Sequence, residues 1–176
     1  TNAWQVAIGQ HADWVQLLTW NDYSETTALA PSAKHRWSLL DMNAFGIAYY
    51  KYGQPPPITR DAIYVSHRTQ PAAALPSFPE TKLMTLAPGS SPTRDDVEVV
   101  TYAVAPATVA ATIGSQTLNC SVPAGLGVCR FPVAPGSVIV GLFRDGGLKA
   151  AASSPFRVTE KPYVQDLQYV VAGGLR

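Results

Sequence analysis

The sequence predicts two fold classes in one chain, a short α/β segment followed by an antiparallel β-sandwich. In the first fifty-seven residues, two helix-like patterns flank one short apolar run of strand length. From Asp95 onward, short β-type runs recur at regular intervals with turn residues between them, which is typical of a sandwich. Charged residues form only 14% of the chain, and it holds 15 Pro and 13 Gly. This composition favours a β-rich extracellular domain with many turns.

The N-terminal segment, residues 1–57, is predicted to contain a helix, a strand and a second helix. Trp4–Gln10 has the pattern of a helix end, and Asp13–Trp20 reads as a buried strand because it is short, apolar and preceded by a polar turn. His35–Tyr52 is predicted to be helical and to end at Gly53 and the three prolines that follow. A lone buried strand leaves its backbone groups without partners. We therefore expect this segment to pack into a larger body, either part of a longer precursor or another chain.

The C-terminal segment, residues 58–176, is predicted to form the sandwich, with a Pro/Ser/Thr-rich loop at about 69–94. Asp145-Gly146-Gly147 has the composition of a hairpin turn. The predicted strands are Ala62–His67, Val97–Val104, Thr108–Ile113, Gly127–Pro132, Ser137–Phe143, Pro155–Val158 and Tyr163–Val171.

The two cysteines, Cys120 and Cys129, flank a Pro- and Gly-containing stretch that resembles a hairpin whose strands a disulfide would tie. Asn119 begins an Asn-Cys-Ser triplet, which fits the N-glycosylation pattern. Together these features favour a secreted, extracellular or cell-wall protein. Two cysteines without a nearby histidine do not supply the four ligands of a zinc site, so we expect no metal and no cofactor.

Charge and hydropathy exclude other classes of partner. The chain has 13 basic and 12 acidic residues, which argues against nucleic-acid binding and against a polybasic membrane contact. No apolar run approaches the length that a membrane-spanning helix needs. The chain opens Thr1-Asn2-Ala3-Trp4 without a signal peptide, so we expect a processed or truncated secreted protein.

The strongest functional signal is a tract in which a short apolar run ends in two carboxylates, Asp22 and Glu25. Cleavage of a glycosidic bond uses two carboxyl groups, one to donate a proton and one to accept a proton or attack. We assign Glu25 as general acid and Asp22 as general base, although the roles are exchangeable. Trp20 and Tyr23 are candidates for stacking on sugar, with core packing the alternative for Trp20. Asn21 either turns the chain or bonds a sugar hydroxyl.

The two carboxylates converge only if the chain turns after Trp20 or Asn21, because side chains three apart on a strand point to opposite faces. Other candidate residues have simpler interpretations. Trp14 and Trp37 are predicted to lie in the core. His35 either reaches the cleft or has a surface or capping role, and His11 and His67 are interpreted as structural.

With these residues in view, the chain resembles the C-terminal part of glycoside hydrolase family 71, the fungal α-1,3-glucanases or mutanases. The resemblance rests on Trp20-Asn21-Asp22-Tyr23-Ser24-Glu25, the aromatic-rich helix after it, Pro106-Ala107-Thr108-Val109 and Pro162-Tyr163-Val164-Gln165-Asp166. The family tract has a glycine and a serine around the glutamate, where this chain has Ser24 and Thr26.

The resemblance implies a (β/α)8 barrel followed by a β-sandwich, of which this chain holds the last barrel strand, the last helix and the sandwich. It also implies that Asp22 and Glu25 hydrolyse α-1,3-glucan with inversion. The partners would be the glucan and the remaining N-terminal barrel portion of the precursor. We expect the isolated 176-residue piece to be inactive, because loops of the missing strands supply subsites in barrels of this kind.

Two rival functions remain open. The sandwich is either a carbohydrate-binding module without chemistry or a structural support for the barrel. All four tryptophans precede residue 40, which disfavours an aromatic binding face on the sandwich. A serine or cysteine hydrolase has no support, because the sequence contains no Ser-containing elbow and no spare Cys–His pair.

Overall fold

The structure, a computed structural model, describes residues 2–24 and 28–174. Two helices precede the sheets, α1 at Asn2–Gly9 and α2 at Ser38–Tyr52. The eight strands are β1 Ala62–Arg68, β2 Asp96–Ala103, β3 Ala107–Ile113, β4 Gln116–Val122, β5 Gly125–Pro132, β6 Val138–Arg144, β7 Gly147–Ser153 and β8 Tyr169–Gly173.

The strands form two four-stranded antiparallel sheets with orders β5-β2-β1-β8 and β4-β3-β6-β7. In the first sheet, Val65 of β1 lies opposite Val99 of β2 and Ala172 of β8. The two sheets bury one continuous core between them, and β3 and β6 contribute alternate side chains to it because neighbouring residues of a strand point to opposite faces. The largest members of this core include Ile63, Val97, Val109, Ile113, Val140 and Leu142. The mostly antiparallel architecture is consistent with the predicted β-sandwich.

The outer face of the first sheet is covered by α2. Tyr64 and Tyr102 point away from the sandwich core and form a second cluster with Met42 and Phe45 of the helix. The rings of Phe45 and Tyr102 stack with centroids 4.6 Å apart. Strand β1 is therefore covered on both faces, which explains why its residues are buried or half-buried along its whole length rather than alternately exposed.

Helix α1 packs on α2 through a tryptophan and a glycine. A Cβ at Gly46 would lie 2.5 Å from ring atoms of Trp4, so the indole occupies space that any other residue would fill. The indole N–H of Trp4 donates to Asn43 Oδ1 at 2.8 Å, and Asn43 Nδ2 donates to the Leu39 carbonyl at 2.8 Å. The lack of a side chain at Gly46 thus determines how closely the two helices approach.

The disulfide between Cys120 and Cys129 is present, but the predicted hairpin around it is wrong. Strand β4 belongs to one sheet and β5 to the other, and Pro123-Ala124 crosses between them. The disulfide therefore joins the two sheets at one edge of the sandwich. A sequence pattern cannot distinguish this crossing from a hairpin, because both place two β-runs around a short turn.

A second link between the sheets is ionic. Arg144 at the end of β6 donates two hydrogen bonds to the carboxylate of Asp61, just before β1, at 3.0 and 2.9 Å. The guanidinium lowers the pKa of Asp61 chiefly through these hydrogen bonds. Both side chains are largely buried, with 16% and 13% exposed, and the bidentate geometry is the stronger form of such a pair.

Most predicted strands are confirmed within a residue or two, and the turn at Asp145-Gly146 joins β6 and β7 with positive φ at both residues. Strands β4 and β7 were not predicted, because their small and polar residues have weak β propensity and depend on the neighbouring strand. The prediction of a strand at Pro155–Val158 is wrong, since Val158 forms only an isolated bridge to Gly136. Of Tyr163–Val171, only the last three residues are in a strand.

The predicted strand at Asp13–Trp20 is also wrong in this structure, because no residue of that run pairs in a sheet. The run is apolar, but because it joins no sheet its side chains are not buried: Trp14 is 75% exposed. The core positions predicted for Trp14 and Trp37 are therefore wrong, since Trp37 is also 46% exposed. Among the described residues, neither helix is long and apolar enough to cross a membrane.

Candidate functional site

The predicted carboxylate tract lies in a loop whose base is closed by two backbone hydrogen bonds. Leu29 N donates to the Thr19 carbonyl at 2.9 Å, and Ala30 N donates to the Trp20 carbonyl at 2.8 Å. We call residues 19–30 the carboxylate loop. Glu25, Thr26 and Thr27 lie outside the described residues, so the structure places Asp22 but not its predicted partner Glu25.

The turn required by the sequence argument occurs at Asn21. Tyr23 N donates to the Asn21 carbonyl at 2.9 Å, which reverses the chain within three residues. Ser24 Oγ donates to Asp22 Oδ1 at 2.9 Å, and Asp22 is partly buried. This hydrogen bond orients one carboxylate oxygen of Asp22.

Two aromatic rings flank this turn and face solvent. Trp20 is 61% exposed and Tyr23 is 54% exposed, so Trp20 is not part of a core in this structure. An exposed indole or phenol presents a flat apolar face with a polar tip. This combination suits contact with a sugar, whose ring has apolar C–H faces and polar edges.

The chain after the carboxylate loop is attached to β8 of the sandwich. Val171 N donates to the Lys34 carbonyl at 2.8 Å, and Ser38 Oγ donates to the Gly173 carbonyl at 2.9 Å. The ammonium of Lys34 forms a salt bridge with Asp166 at 2.8 Å. It also donates to Gln168 Oε1. The position of the loop therefore depends on residues more than 130 positions later in the sequence.

A hollow of about 240 Å³ lies between the carboxylate loop and this attachment. We call it the His35 hollow; its lining residues are Tyr23, Ala28, Ser32, Ala33, Lys34, His35 and Gln168. The hollow is therefore lined by the side chains of Ser32, Lys34, His35 and Gln168, which are polar, and by the phenol ring of Tyr23.

His35 is buried in the wall of the hollow, with 6% of its surface exposed. Its Nε2 lies 3.2 Å from the Tyr169 carbonyl oxygen, which only accepts, so Nε2 carries the proton. Nδ1 is buried and has no hydrogen-bond partner within the described chain. A surface position for His35 is therefore wrong.

The pKa of His35 is lowered, chiefly because burial penalises the charged ring. The hydrogen bond to Tyr169 opposes this shift, and the positive charge of Lys34 adds to it. Both burial and the neighbouring cation favour the neutral imidazole, in which Nδ1 keeps its lone pair.

A larger cavity of about 360 Å³ lies elsewhere, between α1, α2 and the first sheet. Its lining is mostly apolar and includes Trp4, Ile8, Leu39, Met42, Phe45 and Tyr49. No carboxylate lines it, so its size alone does not make it a site for acid–base chemistry. An apolar hollow of this kind suits packing against another apolar surface.

The other predicted residues have separate locations. His67 is fully buried between the sheets; its Nδ1 donates to the Arg68 carbonyl, and Ser154 Oγ donates to its Nε2, both at 2.8 Å. This geometry agrees with a structural role. Asn119 is exposed on edge strand β4. Within residues 2–24 and 28–174, no group of three or more His, Cys, Asp or Glu side chains is arranged to hold a metal.

Sequence reasoning did not single out Lys34, Ser32 or Gln168 as site residues. Ser32 and Lys34 precede His35 closely, so the polar run Ser32–Arg36 before the helix was the available signal. No sequence signal pointed to Gln168, because only the pairing of β8 with β1 brings it to this position.

Comparisons with known proteins bear on the family of this chain. The family model of Glycosyl hydrolase family 71 matches residues 1–171. Among curated proteins and among solved structures, no match to this chain was found. The match covers nearly the whole chain, including the carboxylate loop and the hollow, and membership supports a glycosidase. The chain therefore belongs to glycosyl hydrolase family 71.

Proposed function

We propose that this chain contributes the carboxylate pair of a glycosidase that hydrolyses α-1,3-glucan. The observation that carries the proposal is the turn at Asn21–Tyr23, which contains Asp22 and is flanked in sequence by the exposed residues Trp20 and Tyr23, in a member of this family. A carboxylate beside exposed aromatic residues is suited to act on a sugar that rests on them.

In the proposed mechanism, Glu25 protonates the glycosidic oxygen and Asp22 activates a water on the opposite side of the ring. Asp22 serves as the proton acceptor, and the hydrogen bond from Ser24 orients one of its carboxylate oxygens. An inverting enzyme separates the two carboxyl groups by roughly 6.5–9.5 Å to admit that water. Inversion at an α-linkage would release the β-anomer first.

We further propose that the chain works with a (β/α)8 barrel, to which it adds the final elements. The support is the apolar surface that lies uncovered near the loop: Trp14, Leu17 and Leu18 are 75%, 40% and 67% exposed. A surface of adjacent large apolar side chains generally marks a contact with another body. The disulfide and the exposed Asn119 support secretion and glycosylation.

The test measures reducing sugar released from insoluble α-1,3-glucan by the chain joined to its proposed barrel segment. We expect Glu25→Gln and Asp22→Asn each to lower release at least a hundredfold, because each removes a group that transfers a proton in the transition state. Glu160→Gln is the matched control, since Glu160 is an exposed carboxylate distant from the loop in sequence. The 176-residue chain alone should release no sugar.

Three results would count against the proposal. Turnover by Glu25→Gln equal to that of Glu160→Gln would rule out Glu25 as the acid. Appreciable turnover by the isolated chain would rule out the need for a barrel. Binding of glucan without release by the complete protein would instead indicate a binding module.

The sandwich itself is proposed as a support rather than a binding module. Its large apolar side chains that are exposed on strands are Val128, Ile139, Phe143 and Leu148. Only one of these is aromatic, whereas a face that stacks on a glucan chain would need several. The contacts of Lys34 with β8 and Asp166 support a different role for the sandwich, which is to hold the carboxylate loop in position.

A further inference from the structure

We propose that Asp166 is a positioning residue for the carboxylate loop and that it acts through Lys34. This inference rests on the proposed function, which it deepens by naming the side chains through which the sandwich holds the loop. Asp166 closes the motif Pro162-Tyr163-Val164-Gln165-Asp166, which carries part of the resemblance to the family and takes no part in the proposed chemistry.

Asp166 is held through both of its carboxylate oxygens. Its Oδ2 accepts from Lys34 Nζ at 2.8 Å, and its Oδ1 accepts from Gln168 N at 3.0 Å. Gln168 also accepts from the same ammonium through its Oε1. The ammonium of Lys34 therefore has two acceptors that are bonded to each other, which limits how far its long side chain can move.

The chain on either side of Asp166 is fixed to the sandwich. Gln165 N donates to Glu80 Oε2 at 2.9 Å, and the Leu167 carbonyl accepts from Arg68 Nε at 3.1 Å. Arg68 is the last residue of β1, which is a central strand of its sheet. Asp166 thus lies on a support that belongs to the sheet rather than to the loop.

Lys34 connects this support to the base of the carboxylate loop. Its own carbonyl accepts from Val171 N at 2.8 Å, so both its backbone and its side chain are attached to the sandwich. Four residues before it, Ala30 closes the loop by donating its N–H to the Trp20 carbonyl at 2.8 Å. Tyr23 of the loop lines the same hollow as Lys34. A displacement of Lys34 is therefore passed to the loop over a short stretch of chain.

The strength of the ion pair between Lys34 and Asp166 suits positioning rather than folding. The two side chains are 32% and 38% exposed, and exposed ion pairs contribute little to the free energy of unfolding because water screens them. Loss of Asp166 should therefore leave the protein folded, and its effect should appear at the base of the loop.

The first test measures amide hydrogen exchange by NMR on the full chain, at Leu29 and Ala30 of the loop base. If opening of the base breaks the ion pair, Asp166→Ala should speed exchange of both amides roughly 1.4- to 5-fold. Lys34→Met should have a similar effect. The double variant should match the single variants, because each of them breaks the same ion pair.

Arg130→Gln is the matched control for this measurement. Arg130 forms exposed ion pairs with Asp96 and Glu98, and its strand β5 lies at the opposite edge of the sheet from β8. The variant thus removes contacts of the same kind at a different place. Exchange at Leu29 and Ala30 should remain as in the wild type.

The second test measures hydrolysis of a soluble α-1,3-glucan oligosaccharide by the chain joined to its proposed barrel segment. We expect Asp166→Ala to lower kcat roughly 3- to 100-fold while KM stays within about twofold of the wild-type value. The reason is that a displaced carboxylate loop alters the geometry of proton transfer more than it alters retention of the substrate. Asp166→Glu keeps the charge and should recover most of the lost kcat.

The outcomes separate this inference from the proposed function. Unchanged exchange at the loop base in Asp166→Ala, or equally faster exchange in Arg130→Gln, would overturn the positioning role even if hydrolysis depends on Asp22 and Glu25. Additive effects of the two single variants would overturn the action through Lys34. If exchange responds as expected while Glu25→Gln still hydrolyses glucan, the contact that holds the loop stands and the proposed acid fails.

Discussion

Removal of the disulfide between Cys120 and Cys129 gives a quantitative test of how the sandwich is held together. The bond closes a loop with a sequence separation of 9. In the chain-entropy description, opening a loop of this size costs about 2.6 kcal/mol at 25 °C, because the unfolded chain regains the freedom that the crosslink removed. For a chain of 176 residues, this corresponds to a fall in Tm of roughly 5–10 °C.

The location of the bond sharpens this expectation. It joins edge strands of different sheets, so no ladder of backbone hydrogen bonds holds these strands to each other. Cys129 is 2% exposed in the core, whereas Cys120 lies at its margin. Reduction keeps both sulfur atoms in place, while substitution also removes one from the core. The double variant Cys120→Ser/Cys129→Ala should therefore be less stable than the reduced wild type.

The assay is urea unfolding of the oxidised protein, the reduced protein and the double variant, with the reductant also added to the variant as a control. We expect the free energy of unfolding to fall by about 2.6 kcal/mol on reduction and the variant to be insensitive to reductant. A loss below about 1 kcal/mol on reduction would refute the reasoning. It would mean that the unfolded chain already keeps these two strands together.

Two further predictions concern a buried histidine and a close helix contact. Burial lowers the pKa of His67. Neutral His67 therefore contributes its full stability above the ordinary histidine pKa of about 6.5. Below that pH the free energy of unfolding falls by up to about 1.4 kcal/mol per pH unit. His67→Gln should flatten this slope between pH 7.5 and 5.5 in urea titrations; an unchanged slope would exclude His67 as its source. Gly46→Val should reduce the unfolding free energy by about 1–3 kcal/mol, because a Cβ there meets the Trp4 ring at 2.5 Å. Ala44→Val on the exposed side of α2 is its control, and equal stability of the two would show that Trp4 moves away without cost.

The candidate site was predictable in its residue types but not in its setting. Two carboxylates beside aromatic residues, with a turn between the strand-like run and the glutamate, were visible in the sequence. The structure places the turn at Asn21 and leaves Trp20 and Tyr23 exposed. The His35 hollow was not predictable, because it exists only where Lys34 meets Asp166 and Gln168 across more than 130 residues.

Local patterns were sufficient for the elements whose own residues specify their conformation. Strands β1, β2, β3 and β6 are rich in β-branched and aromatic residues, and the Asp-Gly turn after β6 admits positive φ at low cost. Helix α2 ends at Gly53, whose φ of 69° favours glycine. In each case, the free energy that selects the conformation comes from a few neighbouring residues.

Features that depend on distant parts of the chain required the packed molecule. Apart from one Leu and one Lys, strand β7 consists of Gly, Ala and Ser. It is a strand because its backbone pairs with β6. The run Asp13–Trp20 is apolar enough for a strand, but within the part of the chain that the structure describes it joins no sheet, and its two tryptophans are exposed. Whether Cys120 and Cys129 close a hairpin or join two sheets was likewise settled by which edge each strand reaches. Backbone pairing is a relation between segments, and no single segment contains it.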